Sequence, residues 1–395
     1  FIVAFEPGTS KARRLGVLKN AGAGKGKAIG RPEMQVVDVP RNGRAKVIDR
    51  LKADPAVESV DLDHPRTINA TPNTPNDPSY GAQWNLISSA MASEDIRWDL
   101  AYGNIAPSGS AVVAILDTGV DGSHPDISTN LESGGDATDL NGHGTWMAGI
   151  VAADTHNSVG IAGVAYDGVT VLPIAVIGAN GIGYDSAIIT GIQTARTAGA
   201  DVILMAFSGP GKSTALASAI ADARGDGIVV VASVGNEQAA SYPAGHPGVI
   251  GVAASRRDGS VAPYSDDGPA AFIAAPGVDI PTLSVGGGTQ LVMGTSPAAA
   301  QVAGAAALLR ANGLAHNHVA GRLSSTARYP AAATVGLLDL AAALGATSED
   351  EVEPSGDPTG PVATDSQYFV EPTPAPTPTP TPTPTPKPTP WPRPD

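Results

Sequence analysis

The chain contains no cysteine among its 395 residues, which excludes a disulfide framework and any thiolate metal site. Aromatic residues (4%) and charged residues (16%) are both scarce, and positive charge is the scarcer sign. Twenty-four Lys and Arg against 38 Asp and Glu leave a formal net charge of -14. So acidic a chain has no general positive field with which to gather nucleic acid or an anionic membrane, and no nucleic-acid partner is expected. Long apolar runs are also missing: none approaches the roughly 18 residues of a membrane-spanning helix. The chain does hold 42% hydrophobic residues, enough to bury one large core and a second module besides. Stability must come from packing, with a hard, oxygen-bound cation as one available aid.

The charge is unevenly placed. Residues 1–70 hold 13 Lys and Arg against 8 Asp and Glu, a balance of +5, so the remaining 325 residues carry -19. Phe1 to Glu6 reads as a strand closed by Pro7-Gly8, with no leader of charged and then apolar residues before it; a trimmed leader and a fragment both fit that start. Thr9 or Ser10 can cap a helix reaching about Asn20, and a loose Gly/Lys stretch follows. Met34 to Val39 reads as a strand, Gly43 to Ala53 as a helix with Val47, Ile48 and Leu51 at helical spacing, and Val57 to Leu62 as a strand. These elements make a small α+β module. Thr67 to Pro78 is polar and extended, suited to a linker.

From Ala111 the pattern changes. Nearly continuous apolar runs at Ala111–Leu116, Val169–Val176, Asp201–Phe207, Gly227–Val234 and Val249–Ala254 alternate with helical segments at 143–153, 184–198, 213–224 and 296–311. Runs of this kind belong to strands buried on both faces, so the predicted fold is α/β, a parallel sheet flanked by helices. Residues 349–395 turn acidic and then almost wholly Pro and Thr, a composition that cannot bury a core and predicts a disordered tail or polyproline linker.

Three segments at the ends of these elements carry chemistry. Asp117 closes the run AVVAILDTGV, His143 stands in NGHGTWMAG at a helix start, and Ser296 stands in GTSPAAAQVAG at the mouth of an Ala-rich helix. Alone, each has an ordinary explanation: a turn former, a surface histidine, a helix cap. Together, in the order Asp, His, Ser within an α/β sheet, they fit nucleophilic catalysis. Ser296 would attack a carbonyl, His143 would take its proton and return it to the leaving group, and Asp117 would fix the imidazole tautomer. A lipase-like hydrolase needs G-x-S-x-G and the order Ser, Asp, His, and the chain has neither.

On these motifs, with HPD after DTG and VAG after GTS, the chain resembles the subtilisin-like serine peptidases over about Asp77 to Leu344. The resemblance implies a subtilisin-like peptidase domain at 71–348, preceded at 1–70 by a ferredoxin-like inhibitory propeptide domain. It also implies a secreted, self-processing zymogen of a serine endopeptidase, a monomer acting on protein or peptide substrates, inhibited by its own propeptide and open to surface attachment through sequence beyond the tail. The segment VVVASVGN is similar to the one that ends in the family's oxyanion donor, which makes Asn236 that candidate. Asn180–Gly183 and Met205–Gly209 match substrate-pairing edge strands. The first specificity pocket is implied between the latter and Ala232–Gly235, taking an apolar or mid-sized side chain. Asp77, Asp126 and Asn157, with carbonyls of Thr155, Val159 and Ile161, match a structural calcium site.

The match departs at Trp146 and Gln301, where the family usually has His, at Pro297, Ala299 and Ala300 beside the nucleophile, and at Ala206 and Ser208 on the substrate strand. These departures leave one alternative of another class, a catalytically weak, surface-displayed binding scaffold.

Overall fold

Strands that are apolar on both faces need helices above and below, and this requirement organises everything after Ala111. The computed structural model describes residues 1–39, 44–61, 74–88, 94–237 and 241–354. Its N-terminal part comprises β1 (Ile2–Phe5), α1 (Lys11–Ala21), β2 (Lys27–Ile29), β3 (Arg31–Val36), α2 (Arg44–Lys52) and β4 (Val57–Asp61). The strands pair antiparallel in the order β2-β3-β1-β4, the ferredoxin-like arrangement of a βαββαβ chain. Val3, Phe5, Leu18, Val47 and Leu51 close a core of its own. Ser10 caps α1 by accepting from the Arg13 amide. β2 lies in the Gly/Lys stretch that reads as loose: its residues are largely exposed and show no apolar alternation, and pairing with β3 is what makes them a strand. The predicted linker falls mostly outside the described residues.

The larger part adds α3 (Trp98–Ala101), β5 (Ala111–Asp117), α4 (His143–Ala152), β6 (Val169–Ala175), α5 (Asp185–Thr197), β7 (Val202–Met205) and α6 (Thr214–Gly225). It continues with β8 (Val229–Ser233), β9 (Ile250–Ser255), β10 (Ile273–Pro276), β11 (Ile280–Ser284), β12 (Gly288–Val292), α7 (Thr295–Ala311), α8 (His316–Thr326) and α9 (Leu340–Gly345). The main sheet runs β10-β9-β8-β7-β5-β6 with every pairing parallel. Along β5, Val113 and Ile115 enter one apolar cluster with α4 and α7, while Ala114 and Leu116 enter a second with α5 and α6. Both faces are thereby covered. β10 and the β11–β12 hairpin were not foreseen, since such short segments beside Gly and Pro give too few residues for a period to register.

Helix α7 runs through the core, and Ala298, Ala299, Ala300, Ala303, Ala305, Ala306 and Ala307 are fully buried. Their small side chains let the helix lie close to α4 and the sheet, and so place its first turn at the strand ends. Among the described residues no helix is long and apolar enough to cross a membrane. The start of the acidic segment packs on the fold: Glu353 pairs with Arg224 at 2.8 Å, and Gly248 donates to the Pro354 carbonyl. Its Pro/Thr stretch lies outside the described residues.

Candidate active site

A parallel sheet opens a crevice at the carboxyl ends of its strands where the winding reverses. The chain passes from β5 outward to β6 and then returns to β7 on the other side of β5, so the reversal lies at β5. Asp117 is the last residue of that strand and is 1% exposed.

His143 opens α4, and its Nδ1 lies 2.8 and 2.9 Å from the two Asp117 carboxylate oxygens. Gly144 makes this approach feasible, because a Cβ there would stand 2.0 Å from the Gly119 carbonyl oxygen. Burial by itself lowers the His143 pKa. The charge and hydrogen bond of Asp117, with the charge of Asp139 adding, overcome that and hold the imidazole above its ordinary value.

Asp139, not singled out from the sequence, joins these pieces. Its carboxylate accepts from the amides of Asn141, Gly142 and Thr145 and from the hydroxyls of Thr118 and Thr145. The Thr118 hydroxyl in turn accepts from the Gly144 amide. A carboxylate at a helix N-terminus satisfies unpaired N–H groups and meets the positive end of the dipole. The available signal was an acidic residue just ahead of a predicted helix start. One turn into α4, the Trp146 ring packs 5.6 Å from the His143 ring, centroid to centroid.

Ser296 is the second residue of α7. Its hydroxyl donates to the Ala206 carbonyl at 2.6 Å, and among the described residues no hydrogen bond joins it to His143. Asn236 follows β8, and its Oδ1 accepts from the amide and hydroxyl of Thr295 at 3.0 and 3.1 Å. Thr295, also missed, orients that amide and leaves Nδ2 as its unspent donor. Asp117, His143, Asn236 and Ser296 line one cavity of about 240 Å³, together with Ala206, Phe207 and Ser208. The substrate-pairing segments differ from their expected form: 180–183 is a turn closed by a single bridge between Ile177 and Gly183, and β7 ends at Met205. Gln301 is fully buried. It accepts from Asn85 and donates to the Pro276 and Pro297 carbonyls, so it cross-links the start of α7 rather than facing the cavity.

The predicted calcium ligands come together away from this cavity. Asp126 is fully buried, and its two oxygens accept from the Asn157 side chain and the Ile161 amide, both at 2.8 Å. Asp77 accepts from the amides of His156 and Asn157. His156 and Ser158 take positive φ, 70° and 68°, which curls the loop. Among the described residues no donor meets the carbonyl oxygens of Thr155, Val159 or Ile161. Burial, with the charges of Asp77 and Asp154 adding, pushes the Asp126 carboxyl up to about 7 against the bonds from Ile161 and Asn157. Two carboxylates and unspent carbonyls are the oxygen donors a hard cation such as calcium takes, while Asn157 turns its Nδ2 to Asp126 and its Oδ1 accepts from the Val159 amide at 2.7 Å. Among the described residues no cluster of three or more His, Cys, Asp or Glu side chains could hold a metal ion, at this loop or elsewhere.

The sequence model of the subtilase family of peptidases matches residues 108–354. Thermitase from Thermoactinomyces vulgaris is 35% identical over 263 residues, 64% of this chain and 91% of its own length. A thermophilic serine proteinase from Bacillus sp. (strain AK1) is 34% identical over 312 residues, 73% of this chain and 75% of its own. Among solved structures, a protease from Pseudoalteromonas arctica superimposes with a TM-score of 0.62 at 32% identity, covering 69% of this chain and 98% of that one.

Proposed function

The chain belongs to the subtilase family and is a serine endopeptidase, and we propose that it cleaves peptide bonds through Asp117, His143 and Ser296. The observation that carries this is the meeting of three side chains from β5, α4 and α7 at one cavity, with His143 held on Asp117 at 2.8 Å. Substrate lies extended across the cavity mouth, its main chain pairing with the segment after Met205. The Ser296 hydroxyl turns to His143, loses its proton to Nε2 and attacks the scissile carbonyl. The imidazolium is stabilised by Asp117 and passes the proton to the leaving amine. Water then repeats the sequence on the acyl-enzyme. The oxyanion meets the Asn236 Nδ2 and the Ser296 amide at the start of α7, where the helix dipole favours negative charge.

The N-terminal ferredoxin-like domain acts as an inhibitory propeptide, and the chain is a secreted, self-processing zymogen that functions as a monomer. Supporting this are the separate core of that domain and its basic balance against an acidic peptidase domain. Asp77, Asp126, Asn157 and the carbonyls of Thr155, Val159 and Ile161 would hold calcium. That ion would supply loop stability, away from the reacting groups. The binding-scaffold alternative is not favoured, since the family match and the similar proteins are peptidases.

Labelling with a serine-directed phosphonate tests the assignment. The native chain should label at Ser296 and hydrolyse peptides, whereas Ser296→Ala should do neither and should keep residues 1–70 attached. Hydrolysis that survives in purified Ser296→Ala overturns it.

A further inference from the structure

We propose that Gln301 is a positioning residue for Ser296: with Asn85 as its partner, it clamps the turn that carries the nucleophile to the end of β10. This rests on the proposed function. Asn85 and Gln301 are 216 positions apart, so no sequence motif joins them.

Ser296 stands between two ties to the same strand end. Before it, the Gly294 amide donates to the Gly277 carbonyl at 2.9 Å. After it, the Gln301 Nε2 donates to the Pro297 carbonyl at 3.1 Å and to the Pro276 carbonyl at 2.6 Å. Pro276 closes β10 and Gly277 follows it, so residues 294 and 297 are fastened to adjacent positions. Gly277 permits the approach, because a Cβ there would stand 2.6 Å from the Gly294 carbonyl oxygen.

The two carbonyls dictate how the Gln301 amide is turned, since only its NH2 end can donate to them. Its Oε1 therefore faces Asn85, whose Nδ2 donates to it at 3.1 Å. Asn85 is 2% exposed and Gln301 is 0% exposed. After Thr295, Gln301 is the one polar side chain among the buried residues of α7. A polar group buried in so apolar a helix is costly unless its bonds are made, and a bond lost there leaves a partner unpaired. Gln301 touches neither substrate nor reacting atoms. What it holds is the turn that presents the Ser296 hydroxyl and amide, where a displacement of about 1 Å can cost about 10²-fold in rate. Its loss should therefore fall on kcat rather than KM.

The test is steady-state kinetics on one peptide substrate, with thermal unfolding measured in parallel. Gln301→Met, which keeps the volume and removes both donors, should lower kcat by about tenfold to a hundredfold with KM held within about twofold. Gln301→His keeps a ring N–H and should recover most of that loss. Asn85→Ala frees the Oε1 and should give a smaller loss of the same kind. The double change Asn85→Ala, Gln301→Met should lose no more than Gln301→Met alone, because the two residues act through one contact. If Gln301→Met does not fold, Asn85→Ala reads the same split by itself. Native kcat in the folded variants, a loss confined to KM, or losses that multiply in the double change overturns the positioning role. A folded native chain that neither hydrolyses peptides nor labels at Ser296 overturns the proposed function instead.

Discussion

The hydroxyl of Ser296 rests on the carbonyl oxygen of Ala206 at 2.6 Å, an acceptor on the segment that a substrate main chain would pair with. A substrate N–H that takes this oxygen leaves the hydroxyl to seek another acceptor, and His143 borders the same cavity. Substrate binding should thereby free the Ser296 hydroxyl for the proposed attack. A phosphonyl inhibitor carrying a peptide should inactivate the enzyme faster than a bare alkyl reagent of matched intrinsic reactivity, by more than its binding saturation explains. Equal second-order rate constants for the two would show that the Ala206 bond does not restrain the nucleophile.

Asn236→Ala should lower kcat by about 10² to 10³ with little change in KM, since its donor meets charge that exists only in the transition state. That range is the one known for the equivalent donor in subtilisin, a family relative, and is borrowed from it. Thr295→Val should show a smaller loss of the same kind, because Thr295 only orients the amide. An effect confined to KM would make Asn236 a structural turn residue.

The acid limb of the pH profile follows from the raised pKa of His143. Its neutral form is the base, so kcat/KM should rise with pH through a value above 6.5. The facing titratable groups are Asp117 and Asp139, and Asp139→Asn removes one of the charges that raise the pKa. The limb should then move to lower pH. In stability the sign is opposite: the raised folded pKa contributes fully below the unfolded value and is lost as pH rises through the folded one. Denaturant unfolding of Ser296→Ala across that range checks this second consequence.

Calcium should stabilise the folded chain by mass action, since the ligand loop exists only when folded. Melting temperature should fall in excess EDTA, and the double change Asp126→Ala, Asn157→Ala should abolish the difference. A native protein that melts identically in EDTA and in millimolar calcium does not use this loop as a calcium site.

The N-terminal domain should inhibit the matured enzyme when added separately as residues 1–70. Opposite charges, +5 against -19 for the rest of the chain, should make association faster at low salt. Association that is slow and insensitive to salt would remove the electrostatic part, and no inhibition at micromolar fragment would remove the inhibitory role.

Much of this architecture was legible in residue order. The five apolar runs became β5 to β9, and the segments read as helices became α4 to α7 within a residue or two, because a strand buried on both faces and a long periodic helix declare themselves locally. The short β2, β10 and the β11–β12 hairpin did not: their pairing partners supply the order that their own composition lacks.

The sequence by itself determined the chemistry on offer: Asp117, His143 and Ser296 in their flanking motifs, and the absence of thiol chemistry. Only the tertiary structure decided how those groups meet. Asp139 takes the Thr118 hydroxyl from the end of β5 across 21 positions of sequence, and Thr295 orients Asn236 across 59. Hydrogen bonds and close contacts act over a few ångströms of space, whereas sequence patterns record only neighbours along the chain, so contacts between distant segments become visible once the sheet and α7 bring their ends together.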